Sequence, residues 1–227
     1  MDDSAVGKPW YQPIVEALSA RASWRTRRDR LRVQDGAIDT DPMLTPPNTD
    51  WAWRPSVWQS PISVPVHDGV GRKTRLDPAV SAFHDAAGGR VSLRQQPTPD
   101  GPAAYGLVID VTGFDGSFVS VVLDLPESAT QELNSTHLVC LTANIGHQTP
   151  ARMFVRLNIR HGPNTAQMVQ EVTLEKTSLA VEFDLTHAEI NERRIENAWI
   201  DLISDVPDTT QIRLGDVYVM RRRRAEL

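Results

Sequence analysis

The chain has 227 residues, 40% of them hydrophobic, and 24 Lys and Arg against 29 Asp and Glu give a formal net charge of -5. This balance excludes a disordered chain and an overall charge that would hold nucleic acid, and the length suits one full-size domain with an N-terminal addition. The single cysteine, Cys140, excludes an intramolecular disulfide and a cysteine-rich zinc site, and its apolar neighbours predict a buried, inert thiol.

No stretch of the sequence is apolar enough to predict a membrane span, which needs about 18 apolar residues. The acidic start, Met1-Asp2-Asp3-Ser4, is followed by no apolar run, so we expect no secretory signal and a cytoplasmic location. The sequence leaves the oligomeric state open.

Residues 1–48 are predicted to be an N-terminal helix and linker, outside the main domain of residues 49–227. The helix is expected from about Ile14 to Val33, where a thin apolar stripe is surrounded by arginines. From Asp35 to Pro47 the chain has no hydrophobic periodicity, which is typical of a linker. A solvated charged helix is favoured over one that binds a phosphate surface or an acidic partner.

Half of the six tryptophans follow the linker, at positions 51, 53 and 58. Trp51 and Trp53 would share one face of an extended segment, where they could stack on sugar rings as an aromatic platform. The alternative is that they plug one end of the domain. We favour the plug, because large aromatic side chains near a linker usually anchor it to the core.

The central strand of the domain is predicted at Phe118–Leu125, between the Asp115-Gly116 turn and Pro126. Its alternate side chains are expected to be buried between two sheets; these are Val119, Val121, Leu123 and Leu125. Further strands are predicted at Arg90–Arg94, Tyr105–Thr112, His137–Ala143, Ala151–Arg160, Gln167–Leu174, Leu179–Leu185, Ala198–Ile203 and Ile212–Met220. The fold class is therefore all-β: an antiparallel β-sandwich, most plausibly a jelly roll of about eight strands.

Turn and capping signals complete this outline. Gly162-Pro163-Asn164-Thr165 predicts a hairpin between two of the strands. Thr186-His187-Ala188-Glu189 fits a capping box and predicts a short helix from His187 to about Asn197. A second short helix is predicted from Glu127 to Leu133.

One predicted strand, Ala151–Arg160, has an unusual set of polar residues on its outer face. Three arginines there would repel one another unless carboxylates or a ligand matched them, and the nearest carboxylates are Glu182 and Asp201, expected in the same half of the sandwich. Complete matching would make this face structural, whereas unmatched guanidinium groups could bind an acidic sugar or a carboxylate-bearing partner. The candidate ligand-binding residues are Arg156, Asn158, Arg160, Trp51 and Trp53.

Patterns for catalysis or metal binding are missing from the sequence. The six histidines have no paired metal spacing, and there is no phosphate-binding glycine loop or nucleophile elbow. Asp110, Asp115 or Asp216 could hold a structural calcium, but without calcium-loop spacing. Arg221–Arg224 could bind phosphate or anionic lipid, although a solvated tail or docking strap is favoured. We expect no cofactor, no catalytic metal and no enzyme activity.

Several short motifs carry a resemblance to a known family: Trp51-Ala52-Trp53-Arg54-Pro55, Phe114-Asp115-Gly116-Ser117-Phe118, Arg156-Leu157-Asn158, His161-Gly162-Pro163-Asn164-Thr165 and Arg224-Ala225-Glu226-Leu227. Over residues 50–227 the chain resembles an alphaproteobacterial family of unknown function, and this resemblance implies no catalytic residues. The predicted strand order is also loosely similar to carbohydrate-binding jelly rolls of the galactose-binding type, which concerns fold more than ligand.

Two functional hypotheses follow. The first is a non-catalytic module that binds glycan, specifically an anionic polysaccharide, through the arginine-rich face and the tryptophans. The alternative is a structural or assembly protein that binds another protein through the same face and the N-terminal helix. Exposed, coplanar tryptophans beside a polar groove would favour glycan, whereas buried tryptophans together with a flat apolar or arginine-rich surface would favour a protein partner.

Overall fold

A computed structural model describes residues 46–99, 101–147, 152–173, 178–206 and 208–225. These residues form 13 strands in two antiparallel sheets, together with very short helical segments. The strands are β1 Thr49–Trp53, β2 Val66–His67, β3 Lys73–Arg75, β4 Val80–His84, β5 Arg90–Pro97, β6 Tyr105–Thr112, β7 Val119–Asp124, β8 His137–His147, β9 Arg152–His161, β10 Asn164–Thr173, β11 Ser178–Asp184, β12 Ile195–Ser204 and β13 Thr210–Arg223. The helical segments are α1 Ser56–Gln59 and the 3-10 turns Glu127–Ala129, Leu185–His187 and Glu192–Arg194.

The strands are arranged as a jelly-roll-like sandwich. In the first sheet the order is β11-β8-β13-β6-β5-β2, and β1 pairs with the end of β13. In the second sheet the order is β10-β9-β12-β7-β4-β3. The predicted all-β, antiparallel fold class is confirmed. More strands are present than the eight expected, because β1 to β4 are too short to show a clear alternation in sequence.

The predicted central strand is confirmed as β7, which lies between β12 and β4 in the second sheet. Val119, Val121 and Leu123 point into the core between the sheets and are 2%, 2% and 0% exposed. Ser120 and Val122, on the opposite side of the strand, are also buried. Both faces of β7 are therefore covered, so the alternation in its sequence does not separate a buried side from an exposed one.

The predicted hairpin is confirmed, since Asn164 pairs with His161 and leaves two residues in the turn. Gly162 occupies the left-handed region there, with φ of 59°, which favours glycine.

The predicted helix from His187 to Asn197 is wrong. Two separate 3-10 turns occupy its first part, and β12 already begins at Ile195. The cap is the carboxylate of Asp184, which accepts a hydrogen bond from the Thr186 N–H at 3.0 Å. Pairing with β9 then draws the remaining residues into the sheet, where the ladder satisfies their backbone groups. The second predicted helix is reduced to the single turn Glu127–Ala129.

Of the two alternatives predicted for Arg221–Arg224, the solvated tail is wrong and the docking strap agrees with the structure, because β13 continues to Arg223. Arg221 is buried, and its guanidinium donates to the backbone oxygens of Ala129 and Gln131. Arg222 pairs with Glu182 on the neighbouring part of the sheet. Arg224 forms an ion pair with Asp184. These arginines therefore join strands, and carboxylates supplied by residues distant in sequence match their charge.

Residues 1–45 lie outside the described part of the chain, so the predicted N-terminal helix and the linker stay predictions. The sandwich begins with β1 at Thr49, next to the predicted domain boundary. Among the described residues, no helix is both long and apolar enough to cross a membrane.

Asp50 on β1 ties the start of the domain to its last strand. It accepts hydrogen bonds from Arg221 Nε at 2.9 Å and from His137 Nε2 at 3.1 Å, and His137 is fully buried. Burial raises the pKa of Asp50, but the hydrogen bonds and charges of Arg221 and His137 outweigh it and hold the pKa below its ordinary value of 3.8.

A depressed pKa of this kind predicts acid sensitivity. The ionised carboxylate of Asp50 stabilises the fold above pH 3.8. This contribution is lost as the pH falls through the pKa that Asp50 has in the folded state, which is the lower of the two. We therefore expect Asp50→Asn to be clearly less stable than the wild type near neutral pH, with the difference shrinking as the pH falls below 3.8. Denaturant unfolding of both proteins at several pH values measures this difference in stability. A difference that is independent of pH would contradict a lowered pKa for Asp50.

Candidate functional site

The strand with the predicted ligand-binding residues, β9, lies inside the second sheet between β10 and β12. As predicted, its inner side chains are buried in the core; these are Met153, Val155, Leu157 and Ile159. On the other face, Arg156 lies opposite Asp201 of β12, and Asn158 lies opposite Gln167 of β10. We call Arg156, Asn158, Gln167 and Asp201 the polar row.

The polar row is held together by its own hydrogen bonds. Oδ2 of Asp201 lies 2.8 Å from both Nε and Nη2 of Arg156 and accepts a further bond of 2.8 Å from Asn158 Nδ2. The Nε2 of Gln167 donates to Asn158 Oδ1 at 3.0 Å. The row therefore crosses three strands as one connected network, in which an ion pair anchors two amides.

The polar row is not exposed as the sequence suggested. Arg156 is 1% exposed and Asn158 is fully buried, so the expectation that both lie on an open sheet face is wrong. Asp201 sits directly across the ladder and neutralises Arg156, which makes burial of the guanidinium tolerable. Large side chains from the same face surround the row and are also buried; these are Trp199, Phe154, Ile203, Phe83 and Val122.

The accessible part of this face lies at one end of the row, where Arg160 is about one-third exposed. Its Nε lies 3.3 Å from Oε2 of Glu196. Asn197 faces Arg160 across the ladder, and the Oδ1 atom of Asn197 is buried without a hydrogen-bond partner. We call Arg160, Glu196 and Asn197 the rim.

The unpartnered oxygen at the rim is chemically informative. Leaving a buried acceptor unsatisfied costs free energy, and such groups usually have an explanation in the function of the protein or in bound solvent. Oδ1 itself is buried, so a ligand would meet it only after the Asn197 side chain turns outward, whereas the partly exposed Arg160 and Glu196 can donate and accept hydrogen bonds directly.

Four residues of this face were not predicted from the sequence: Gln167, Glu196 and Asn197 of the site and the neighbouring Trp199. Their signal was present, since Asn197, Trp199 and Asp201 alternate along a strand with apolar residues between them. The capping-box prediction extended a helix over the beginning of that strand and hid the pattern.

The expected pairing of Glu182 with the arginines of β9 is wrong. Glu182 lies on β11, in the first sheet, where Arg222 donates to it at 2.6 Å and the Cys140 thiol at 3.3 Å. Burial, followed by the nearby Glu182 carboxylate, raises the pKa of Cys140 to about 11. The thiol is buried and protonated at neutral pH, as expected for an inert cysteine.

The structure does not bring Trp51 and Trp53 together with the polar row, because β1 belongs to the first sheet and the row to the second. Trp53 is 2% exposed and Trp58 is fully buried, in agreement with the plug interpretation, so neither forms an aromatic platform for sugars. Trp51 is half-buried, and its Nε1 donates to Ser128 Oγ at 2.9 Å. A ligand contact by Trp51 stays a prediction.

The aspartates considered for calcium serve separate structural contacts. Asp110 and Asp216 each pair with an arginine, and Asp115 accepts hydrogen bonds from the N–H groups of Ala87 and Gly88. Within the described ranges, no three His, Cys, Asp or Glu side chains are grouped so that they could hold a metal ion.

The fold and the site define a β-sandwich protein with a mixed polar and aromatic outer face on one sheet. The chain belongs to the family of unknown function DUF6478, whose model matches residues 19–227. This match confirms the predicted family of unknown function, while the alphaproteobacterial origin stays a prediction. A search of curated proteins gives no match.

Similar solved structures include carbohydrate-binding modules. A family 11 module from Clostridium thermocellum, in complex with a β-1,3-1,4-mixed-linked tetrasaccharide, is 12% identical, with 69% of this chain and 96% of that chain covered and a TM-score of 0.43. The CBM22-1 xylan-binding domain of Paenibacillus barcinonensis Xyn10C is 12% identical, with 80% and 100% covered and a TM-score of 0.41. Similarity at this level gives no information about the ligand of the present chain.

Proposed function

We propose that the chain is a non-catalytic binding module for glycan and that sugars contact it at the rim of the second sheet. The observation that supports this most directly is the rim itself, where the polar side chains of Arg160 and Glu196 are partly exposed next to the half-buried Asn197. Sugar hydroxyls both donate and accept hydrogen bonds, so they suit a site that offers an amide, a guanidinium and a carboxylate together.

The polar row supports the proposal because it makes the floor of the site rigid. Asn158 and Gln167 are already oriented by hydrogen bonds that run back to Asp201. A preorganised network loses little side-chain entropy when a ligand binds next to it, which favours affinity. Gln167 is an exposed residue of β10 and joins this network through its bond to Asn158.

Charge matching favours a neutral glycan over the anionic polysaccharide expected from the sequence. Arg156 is paired with Asp201, and Arg160 with Glu196, so the arginines of the polar row and of the rim both have matched charges. An acidic sugar would have to compete with these carboxylates. Acidic polysaccharides therefore form the second arm of the test, beside neutral ones.

The test is a titration of the full-length protein, by calorimetry or affinity electrophoresis, with soluble neutral glycans (β-glucan, xylan, galactan) and anionic ones (alginate, polygalacturonate). We expect weak binding to a neutral glycan, on the order of micromolar to millimolar Kd. Asn197→Ala should weaken this binding by about tenfold with an unchanged melting temperature, because the lost oxygen has no partner within the fold.

Asn144→Ala is the matched control, since Asn144 is an exposed asparagine on β8 of the other sheet. It should leave both binding and stability unchanged. Absence of binding to every glycan by folded protein would overturn the proposal. Co-purification of a protein partner in that case would favour the structural or assembly hypothesis, in which the arginine-rich face and the predicted N-terminal helix bind another protein.

A further inference from the structure

Glu196 occupies an irregular position in β12. Ile195 pairs with His161 and Asn197 pairs with Arg160, so two steps along β12 correspond to one step along β9. Glu196 is the extra residue of this β-bulge. Bulges of this kind re-aim side chains and are enriched next to functional sites.

The bulge changes what the side chains on either side of Glu196 can contact. In a regular strand, Ile195 and Asn197 would point to the same face. Here Ile195 packs against the core between the sheets, while Asn197 faces Arg160 at the rim. The same irregularity leaves the Glu196 carboxylate 3.3 Å from the Arg160 guanidinium.

The ion pair of the rim has little to do with the stability of the fold. Its side chains are 37% and 41% exposed, and solvent-exposed pairs contribute little because water and salt screen them. The pair has a larger effect on ligands. An unpaired guanidinium binds a carboxylate through two parallel hydrogen bonds, whereas a carboxylate beside it occupies that donor and repels a second anion.

Building on the proposed glycan-binding function, we infer that Glu196 determines the charge selectivity of the site. By neutralising Arg160, it makes the rim select uncharged, hydroxyl-rich sugars and reject sugars that bear a carboxylate. The partly exposed guanidinium that could capture a uronic acid is present, and the bulge places a carboxylate against it.

The experiment compares wild type and Glu196→Gln on two probes of equal length, neutral xylohexaose and acidic hexagalacturonate, at low ionic strength. We expect Glu196→Gln to bind hexagalacturonate about tenfold more tightly than the wild type does, because the carboxylate that repels a second anion beside Arg160 is gone. This gain should decline as salt is added, whereas affinity for xylohexaose should not rise, because the substitution adds no contact for an uncharged hydroxyl. The double variant Arg160→Gln/Glu196→Gln should lose the gain.

Glu171→Gln is the matched control, because Glu171 is an exposed glutamate on β10 that faces Phe154 of the same sheet. It removes the same charge away from the rim and should leave hexagalacturonate binding unchanged. An equal gain in this control would show a general charge effect and overturn the inference. Binding of xylohexaose without any gain for Glu196→Gln would overturn the selectivity role alone, whereas no binding of either probe by any folded variant would count against the proposed function as well.

Discussion

Asp201→Ala is expected to lower the free energy of unfolding by about 3 to 5 kcal/mol, because it removes the carboxylate that neutralises a buried guanidinium. Arg156 is 1% exposed and has two of its nitrogens 2.8 Å from Asp201 Oδ2. The variant also removes the acceptor of Asn158 Nδ2. Denaturant unfolding near neutral pH measures the loss.

Glu196→Gln is the matched control for this prediction, since it breaks an exposed ion pair between an arginine and a carboxylate on the same two strands. Its cost should stay within about 1 kcal/mol. Replacing both buried partners, as in Arg156→Met/Asp201→Leu, should restore much of the stability, because no buried charge is then left uncompensated. A loss for Asp201→Ala as small as that for the control would contradict a buried, stabilising pair.

This prediction also decides which variants can test binding. Arg156→Ala would leave Asp201 as a buried carboxylate without its arginine, so any loss of binding could follow from a damaged fold. Asn197 avoids the problem because its Oδ1 makes no hydrogen bond within the fold.

Leu123→Ala is expected to cost about 2 to 5 kcal/mol, from lost transfer free energy and the cavity left behind. Leu123 is fully buried, and its strand pairs on both sides, opposite Ile200 of β12 and Val80 of β4. With neighbours on both edges and a second sheet above, the site cannot collapse easily around the smaller side chain. The denaturation midpoint should fall without a change in m-value.

Val66→Ala serves as the control, because Val66 is 56% exposed on the short strand β2. Its effect should lie within about 0.5 kcal/mol. A midpoint that hardly moved for Leu123→Ala would contradict the central position of β7.

Local signals predicted the strands well where they were long and regular. The alternation around Val121, the turn at Gly162 and the apolar side of β9 were all found in the structure as expected. Short strands such as β2 and β3 carry too few residues for a period to be visible, and they form because longer neighbours offer them a ladder. The helix predicted after Thr186 failed for a related reason: pairing with β9 outweighed a local capping signal.

The candidate site also combines features that the sequence of one strand predicts with features that depend on the neighbouring strands. Alternation placed Arg156, Asn158 and Arg160 on one side of β9, and the structure keeps them there. Their burial was beyond reach, because it is not a property of the strand itself, and the sequence offered Asp201 and Glu182 as partners without deciding between them. Asp201 became the partner of Arg156 because β12 was added beside β9, whereas Glu182 was drawn into the opposite sheet with β11.

The sequence by itself determined the all-β class, the central strand and which side chains of each long strand share a face, because side-chain alternation is a local property with a period of two residues. Only the tertiary structure decided which strands are neighbours, which carboxylate meets which arginine, and where the bulge directs Glu196. These features depend on contacts between residues far apart in the chain. Burial of the whole core, and not any single segment, selects among the competing strand pairings.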